Sequence, residues 1–255
     1  MLRALRDKRI LITREENQSK PFADLVADLG GVPIVIPLLK ITCRHYKGDP
    51  HLLEQLSNYQ WIIFTSANGV HCFFEEFNSK TLNDTVKFAV VGHKTEMALK
   101  QYGTTASFVP SVYNAEVMAM EYMQEITING PLLIVKGSRS RMVIQQAFSE
   151  NDLAFDELVM YETTSNTENH LLLNNTLKQG SPDFITFTSP STVEAFMECG
   201  CDRQVQQAQQ LPCVCIGSTT EERARELGFV QILVPNQFTI EGMVEKIAHY
   251  IKEKG

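Results

Sequence analysis

The sequence has no apolar run approaching the ~20 residues that a membrane-spanning helix requires, so a membrane protein is not expected. It has no block of basic residues either. Lysine and arginine total 23 against 30 acidic residues, for a net charge of −7. Without a basic footprint, general nucleic-acid binding is not expected, although a local cluster of arginine and backbone N–H groups could still hold an anion against that field. The Gly-x-x-x-x-Gly-Lys-Ser/Thr loop, the Gly-x-Gly-x-x-Gly fingerprint, His-Glu-x-x-His and Gly-x-Ser-x-Gly are all missing. Nucleotide, nicotinamide, zinc-protease and serine-hydrolase readings thereby lose their usual support. The first ten residues carry four basic groups with no apolar core behind them, so no secretory signal is expected. The expected location is cytoplasmic, with reduced thiols. Of the six cysteines, the pairs Cys199/Cys201 and Cys213/Cys215 are spaced too tightly for common structural zinc sites and read as small buried residues. The six histidines show no i, i+4 pairing with carboxylates, and no metal is assigned.

What the chain does have is a repetition. Phe64-Thr65-Ser66 with Gly69-Val70 returns as Phe187-Thr188-Ser189 with Thr192-Val193. Val91-Gly92-x-x-Thr95 returns as Ile216-Gly217-x-x-Thr220, and Phe108-Val109-Pro110 as Leu233-Val234-Pro235. The segment from Ile10 to Arg14 lines up with that from Leu133 to Gly137. The offsets are 123 to 125 residues, so residues ~8–125 and ~131–250 are tandem repeats of similar fold.

Short apolar runs alternate with helical patterns throughout. Strands are expected at 9–13, 32–38, 61–65, 87–92, 107–109, 132–136, 157–161, 184–188, 213–217 and 231–234. Most are continuous Val/Ile/Leu/Phe runs, the mark of strands buried on both faces of a parallel sheet. Ser19 is expected to cap a helix with Pro21 in its first turn, and the Ser218–Glu221 tetrapeptide reads as a capping box. The alternation makes the chain α/β with parallel sheets. Each repeat could fold alone, or the repeats could exchange their first strand–helix–strand unit. The segments 36–42 and 159–165 are candidate crossings between domains.

The hydroxyl-bearing loops are the candidate site. Ser66, Ser189 and the Gly-x-x-Thr pairs Gly92/Thr95 and Gly217/Thr220 all follow strands and open helices, where free N–H groups and the helix dipole favour carboxylates or phosphates. Simple N-capping accounts for any one of them. Four repeat-related loops together point to a shared anion-binding cleft at the carboxyl ends of the strands. Arg14 ends the first strand, and Lys136 to Arg141 follows its counterpart in the second repeat. Arginine there can hold a carboxylate through two parallel hydrogen bonds, though a solvated charge run would look the same. Tyr161 ends its strand at a candidate crossing, where a buried structural tyrosine is the plainer reading.

In order along nearly the whole chain, these marks resemble the uroporphyrinogen-III synthase family. They are Ile12-Thr13-Arg14, Phe64-Thr65-Ser66, Val91-Gly92-x-x-Thr95, Lys136 to Arg141, Val159-Met160-Tyr161-Glu162-Thr163, Phe187-Thr188-Ser189-Pro190-Ser191, Ile216-Gly217-x-x-Thr220 and Phe238-Thr239-Ile240-Glu241-Gly242-Met243. The resemblance implies two Rossmann-like or flavodoxin-like parallel-sheet domains joined by a two-stranded linker, with a ligand cleft between them. It implies exchanged repeats, one domain comprising 1–38 plus 166–255 and the other 39–165. It implies a cyclising hydro-lyase of tetrapyrrole (porphyrin and heme) biosynthesis that needs no cofactor. Hydroxymethylbilane, a linear substrate with eight carboxylates, would lose its hydroxyl as water and close to uroporphyrinogen III with ring D inverted, by way of a spiro-pyrrolenine. Tyr161 would assist departure of the hydroxyl as an acid. Ser66, Thr95, Gly137, Ser189, Ser191 and Thr220 would line the cleft, and Arg14, Lys136 and Arg141 would take substrate carboxylates. The domains would close about the substrate. A monomer is expected, with at most transient contact with the preceding pathway enzyme. The alternative is a non-catalytic two-domain sensor or binding protein for a tetrapyrrole or another polyanion.

Overall fold

Among the described residues ten runs become strands, and the central ones are apolar on both faces. Ile62, Ile63 and Phe64 are wholly buried, as are Leu132, Ile134 and Val135. The computed structural model describes residues 4–46, 55–77, 82–83, 85–180 and 182–254, so residues 1–3 of the basic opening segment lie outside it. The strands are β1 (Arg9–Ile12), β2 (Val32–Val35), β3 (Leu39–Cys43), β4 (Trp61–Phe64), β5 (Lys87–Val90), β6 (Leu132–Gly137), β7 (Phe155–Ser165), β8 (Phe184–Phe187), β9 (Pro212–Cys215) and β10 (Gln231–Leu233). The expected strand at 107–109 reduces to a single parallel bridge between Ala89 and Phe108. The helices are α1 (Glu16–Asp28), α2 (Ala67–Glu76), α3 (His93–Gln101), α4 (Ala115–Glu125), α5 (Val143–Glu150), α6 (His170–Gln179), α7 (Pro190–Cys199), α8 (Asp202–Ala208), α9 (Ser218–Glu226) and α10 (Ile240–Lys254).

The chain divides into two compact units, Met1–Lys40 with Thr164–Gly255, and Ile41–Thr163. It passes from one to the other within β3 and within β7. One five-stranded sheet has the order β10-β9-β8-β1-β2, and the other β3-β7-β6-β4-β5. Thus β1 and β2 of the first repeat pair with β8 to β10 of the second, while β6 and β7 of the second pair with β4 and β5 of the first. The repeats have exchanged their first strand–helix–strand units, which the periodicity left open. The pairings β1–β2, β1–β8, β8–β9, β9–β10, β4–β5, β4–β6 and β6–β7 are parallel. Parallel neighbours deliver their carboxyl ends to one edge, and the strand order reverses beside β1 in one sheet and β6 in the other, where open α/β sheets bind ligands.

Each sheet is covered on both faces. In the first unit Ile10, Ile12 and Val214 pack under α1 and α10 through Phe22, Val26, Met243 and Ile247. Leu11, Phe187, Cys213 and Cys215 pack on the other face with Leu173, Val193 and Phe196. Cys213 and Cys215 therefore share one face as buried apolar residues. In the second unit, Phe64, Val135 and Met160 pack with Val70 and Phe73 of α2. Trp61, Ile63 and Ile134 pack with Tyr122 of α4 and Phe148 of α5.

Three expectations are corrected. Helix α1 starts before Ser19, whose hydroxyl lies within the first turn and donates back to the carbonyls of Arg14 (2.7 Å) and Glu15 (2.9 Å) instead of capping; Pro21 is inside the helix. At α9 the N-cap is Gly217, with no side-chain cap, so the Ser218–Glu221 capping box does not form. The reciprocal box is at α7, between Ser189 and Thr192. Nor are all thiols reduced: Cys43 and Cys72 form a disulfide joining β3 to α2, leaving Cys199, Cys201, Cys213 and Cys215 free. Among the described residues no helix is long and apolar enough to cross a membrane.

Candidate functional site

The decisive geometry lies in the second unit, at the carboxyl edge of β4, β6 and β7. Pairing of β6 with β7 runs regularly to Lys136 opposite Val159, then shifts so that Gly137 faces Tyr161. The extra residue is a bulge, and a bulge re-aims side chains. Strict alternation would turn Tyr161 to the face that carries Phe155 and Glu157. The shift puts it instead in the cluster with Phe64, Val135 and Met160. There its phenol meets the Ser66 hydroxyl at 2.9 Å. Ser66 is the N-cap of α2, and its Oγ also accepts the Gly69 N–H at 3.1 Å. The phenol is thus tied to a helix N-terminus, whose partial positive charge favours developing negative charge.

Gly137 is what lets the ring sit there. A Cβ on Gly137 would lie 2.7 Å from Tyr161 Oη and closer still to Cζ and Cε2. Tyr161 is 8% exposed, so the residue is largely buried and its ring is held in place. The loop after Gly137 is internally bonded: the Gly137 N–H donates to Ser140 Oγ (3.0 Å), and the Ser138 N–H to the Tyr161 carbonyl (2.9 Å).

The other candidates sort by unit. Thr95 lies in the first turn of α3, beyond β5, and is buried. Lys136 is the residue whose surroundings depart most from expectation. It is on the opposite sheet face, 7% exposed, with Nζ 2.8 Å from Glu157 Oε1 and 3.0 Å from Met142 Sδ. Gln145 also donates to Glu157. Burial acts to raise the Glu157 pKa, but the hydrogen bonds from Lys136 and Gln145 and the Lys136 charge outweigh it and hold the carboxyl below its ordinary value. Sequence reasoning missed Glu157. No local signal finds it, because Glu157 is itself exposed and its pairing with the buried Lys136 is set by the β6–β7 register. Arg141 is exposed and pairs with Glu116 at 2.8 Å.

In the first unit, Arg14, Ser189, Ser191 and Thr220 follow β1, β8 and β9, which are neighbours in the sheet. Arg14 donates to Gln18 Oε1 through Nε (3.0 Å) and Nη2. Burial pulls its pKa down, partly countered by Glu15. Ser189 caps α7, its Oγ accepting the Thr192 N–H at 3.2 Å, and Ser191 lies in the same first turn. Thr220 is buried in the first turn of α9. No cluster of three or more His, Cys, Asp or Glu able to hold a metal occurs among the described residues.

The family model described as uroporphyrinogen-III synthase HemD matches residues 20–245. The chain belongs to the uroporphyrinogen-III synthase family. Its relatives include a putative uroporphyrinogen-III synthase of Methanocaldococcus jannaschii, 30% identical over 94% of this chain and 97% of that one. A porphyrin biosynthesis protein HemD of Ruminiclostridium josui is 29% identical over 97% of this chain, which spans about half (49%) of that protein. Among solved structures, uroporphyrinogen-III synthetase from Helicobacter pylori aligns with a TM-score of 0.65 at 15% identity, covering 96% of this chain and 99% of that one. A mutant uroporphyrinogen III synthase from Thermus thermophilus gives the same TM-score at 17% identity, covering 96% and 99%. These likenesses show the two-unit α/β fold.

Proposed function

We propose that the chain is a uroporphyrinogen-III synthase, a cofactor-independent hydro-lyase that cyclises hydroxymethylbilane with inversion of ring D. The observation that carries this reading is the Tyr161–Ser66 pair seated over Gly137 at the carboxyl edge of the sheet. When Ser66 donates to the phenol oxygen, the phenolic O–H is free to donate to the substrate hydroxyl. The carbon–oxygen bond breaks, the proton leaves with the oxygen as water, and a pyrrole-stabilised cation remains. The phenolate so formed keeps the Ser66 hydrogen bond at the α2 N-terminus. The proton released when the new carbon–carbon bond rearomatises restores the phenol. Because hydroxymethylpyrroles ionise readily, the acid supplies modest help, and the larger task is holding the chain so that the substituted carbon of ring D meets the cation.

The substrate carboxylates are assigned to Arg14 and Arg141 and to the N-termini capped by Ser189, Gly92 and Gly217, with Ser191, Thr95 and Thr220 in their first turns. Arg141 is suited to this because its pair with Glu116 is exposed and therefore worth little. Lys136 is assigned an internal role, fixing Glu157 beneath the bulge that aims Tyr161. The two units act in this reading as domains, 1–38 with 166–255 and 39–165. A cytoplasmic monomer, meeting the preceding pathway enzyme at most transiently, completes it. The test is isomer analysis. Hydroxymethylbilane generated in situ should give the type III product with the protein and type I without it. Type I alone in both would overturn the proposal.

A further inference from the structure

The sequence motifs leave two of the six cysteines unassigned, Cys43 and Cys72, and these are the two that bond to each other. Their disulfide closes a circuit through the Tyr161–Ser66 pair. From Tyr161 the circuit runs back one residue to Met160, whose carbonyl accepts the Arg44 N–H at 2.8 Å. Cys43, the next residue back, ends β3 and is bonded to Cys72 of α2. Six residues before Cys72 is the N-cap of α2, Ser66, which meets the Tyr161 phenol at 2.9 Å. Strand β3 lies beside β7 in the sheet. The strand that carries the phenol and the helix that carries its partner are thus joined through one covalent bond and a common neighbour.

Ser66 is fixed from two sides. Toward β6, the Thr65 N–H and hydroxyl both donate to the Val135 carbonyl at 3.2 Å. Toward β7, the disulfide holds α2 to β3 at mid-helix, and Glu76 holds its end by accepting the Tyr46 N–H at 3.1 Å. Cys72 is buried in the same cluster as Met160, Tyr161 and Phe73. Packing and hydrogen bonds maintain the fold here. The covalent link adds a limit on how far α2 can move against β7, and a reacting pair needs its supports held that closely.

The other unit offers a comparison. Its hydroxyl-capped helix α7 has Ala195 six residues after Ser189, where α2 has Cys72 six residues after Ser66. The 123-residue offset that sets Cys72 against Ala195 also sets Cys43 against Asn166 and Tyr161 against Leu38. The cross-link and the phenol therefore occur together in one unit and are both missing from the matching positions of the other.

We propose that the Cys43–Cys72 disulfide positions the Tyr161–Ser66 pair, so that turnover depends on the thiol–disulfide state of this bond. Cys43 and Cys72 are positioning residues, acting through α2 and β7 rather than on the substrate. Reduction by a dithiol breaks the S–S bond. Two electrons and two protons pass to the two sulfurs, and the dithiol becomes a disulfide. Glutathione disulfide reverses the step and leaves as two glutathione thiols. The inference rests on the function proposed above.

The test uses the full-length chain, treated with glutathione disulfide or with dithiothreitol, freed of reagent and given hydroxymethylbilane generated in situ. Thiol titration of the unfolded protein should count four thiols in the oxidised form and six in the reduced one. A 1 Å misplacement of a reacting group costs about 100-fold, so a pair loosened but not broken should lose about three- to tenfold in kcat, with KM unchanged. Reoxidation should restore the rate. Cys43→Ala/Cys72→Ala should turn over like the reduced protein and respond to neither reagent. In Tyr161→Phe, reduction should lower kcat no further, because both changes act on one group. Circular dichroism at the assay temperature checks that each form is folded. Equal kcat in the two folded states overturns the proposal, as does failure of the pair to bond under glutathione disulfide. So does an equal loss on reducing the double-cysteine variant, which would assign the effect to the other thiols. A further loss on reducing Tyr161→Phe overturns it, and so does activity lost only together with the fold, which would leave the bond a role in stability alone. Oxidised wild type yielding only the type I isomer overturns the functional reading and this inference with it. Type III formed equally fast in both states overturns the inference alone.

Discussion

Gly137→Ala tests the central geometry without touching a polar group. The added methyl would meet Tyr161 Oη at 2.7 Å, and Cζ and Cε2 at less. Carbon–carbon contact is comfortable only at about 3.5–4.0 Å, so the ring must retreat by about 1 Å. The 2.9 Å bond to Ser66 does not survive such a shift. Overpacking of this kind costs about 1–3 kcal/mol of stability, and the lost hydrogen bond about 0.5–1.5 kcal/mol more. A 1 Å misplacement of a reacting group costs about 100-fold in rate, or about 2.7 kcal/mol of barrier. Tyr161→Phe, which keeps the ring and deletes the acid, should lose about one to three orders of magnitude. If Gly137→Ala acts only through Tyr161, the double variant should be no slower than the worse single one, because residues acting as a unit are strongly non-additive. The assay is type III product formation under saturating substrate, alongside a thermal melt. A Gly137→Ala protein that folds and turns over within about threefold of wild type would refute the reasoning, as would full multiplicativity in the double variant.

Other predictions separate roles that share a geometry. Ser66→Ala and Ser189→Ala each remove an N-cap and should cost about 1 kcal/mol in denaturant titrations. Only Ser66→Ala should also lower kcat, by about tenfold for one hydrogen bond, while Ser189→Ala should act on KM; equal effects of the two on kcat would sink the distinction. The Glu157 carboxyl is held below its ordinary value of 4.5, so it stabilises the fold above that pH and ceases to as the pH drops through its folded pKa. Glu157→Gln should therefore melt below wild type near neutrality, with the gap narrowing in acid, and a gap that is constant with pH would contradict the pairing with Lys136. Reducing Cys43–Cys72 should cost about 2–4 kcal/mol, and alkylation of unreduced, unfolded protein should find four free thiols of six. Six would remove the disulfide from the account.

Much of the architecture was legible because burial on both faces leaves a plain mark. The runs at Ile10–Ile12, Ile62–Phe64 and Leu132–Val135 could be little else than central parallel strands. What escaped was set by pairing between residues far apart. Nothing local distinguishes a strand that passes Tyr161 in register from one that slips by a residue, and that slip decides which face the phenol occupies. Lys136 invited a substrate-binding reading because its partner Glu157 lies on another strand. The caps failed for a local reason: a hydroxyl near a helix start can accept at a cap or donate backwards, and Ser19 does the second.

The repeat also limits what each unit can do. The 123-residue offset that aligns the first strands of the repeats sets Arg14 against Gly137 and Leu38 against Tyr161. Where the second repeat has a glycine vacating space for a phenol, the first has a half-buried guanidinium and a fully buried leucine. Both sheets present hydroxyl-capped helices and glycine N-caps at their carboxyl edges. The first has no phenol at the matching position to protonate a leaving group. In the proposed reaction, these two positions are what set the two edges apart. Placing a tyrosine at Leu38 would not restore the symmetry, because Arg14 stands where the ring would need a residue without a Cβ. A Leu38→Tyr variant should accordingly lose stability without gaining turnover, and its isomer ratio should match that of wild type. A Leu38→Tyr protein that stayed fully stable and rescued Tyr161→Phe would show that the bulge and its glycine are not what make a tyrosine catalytic in this fold.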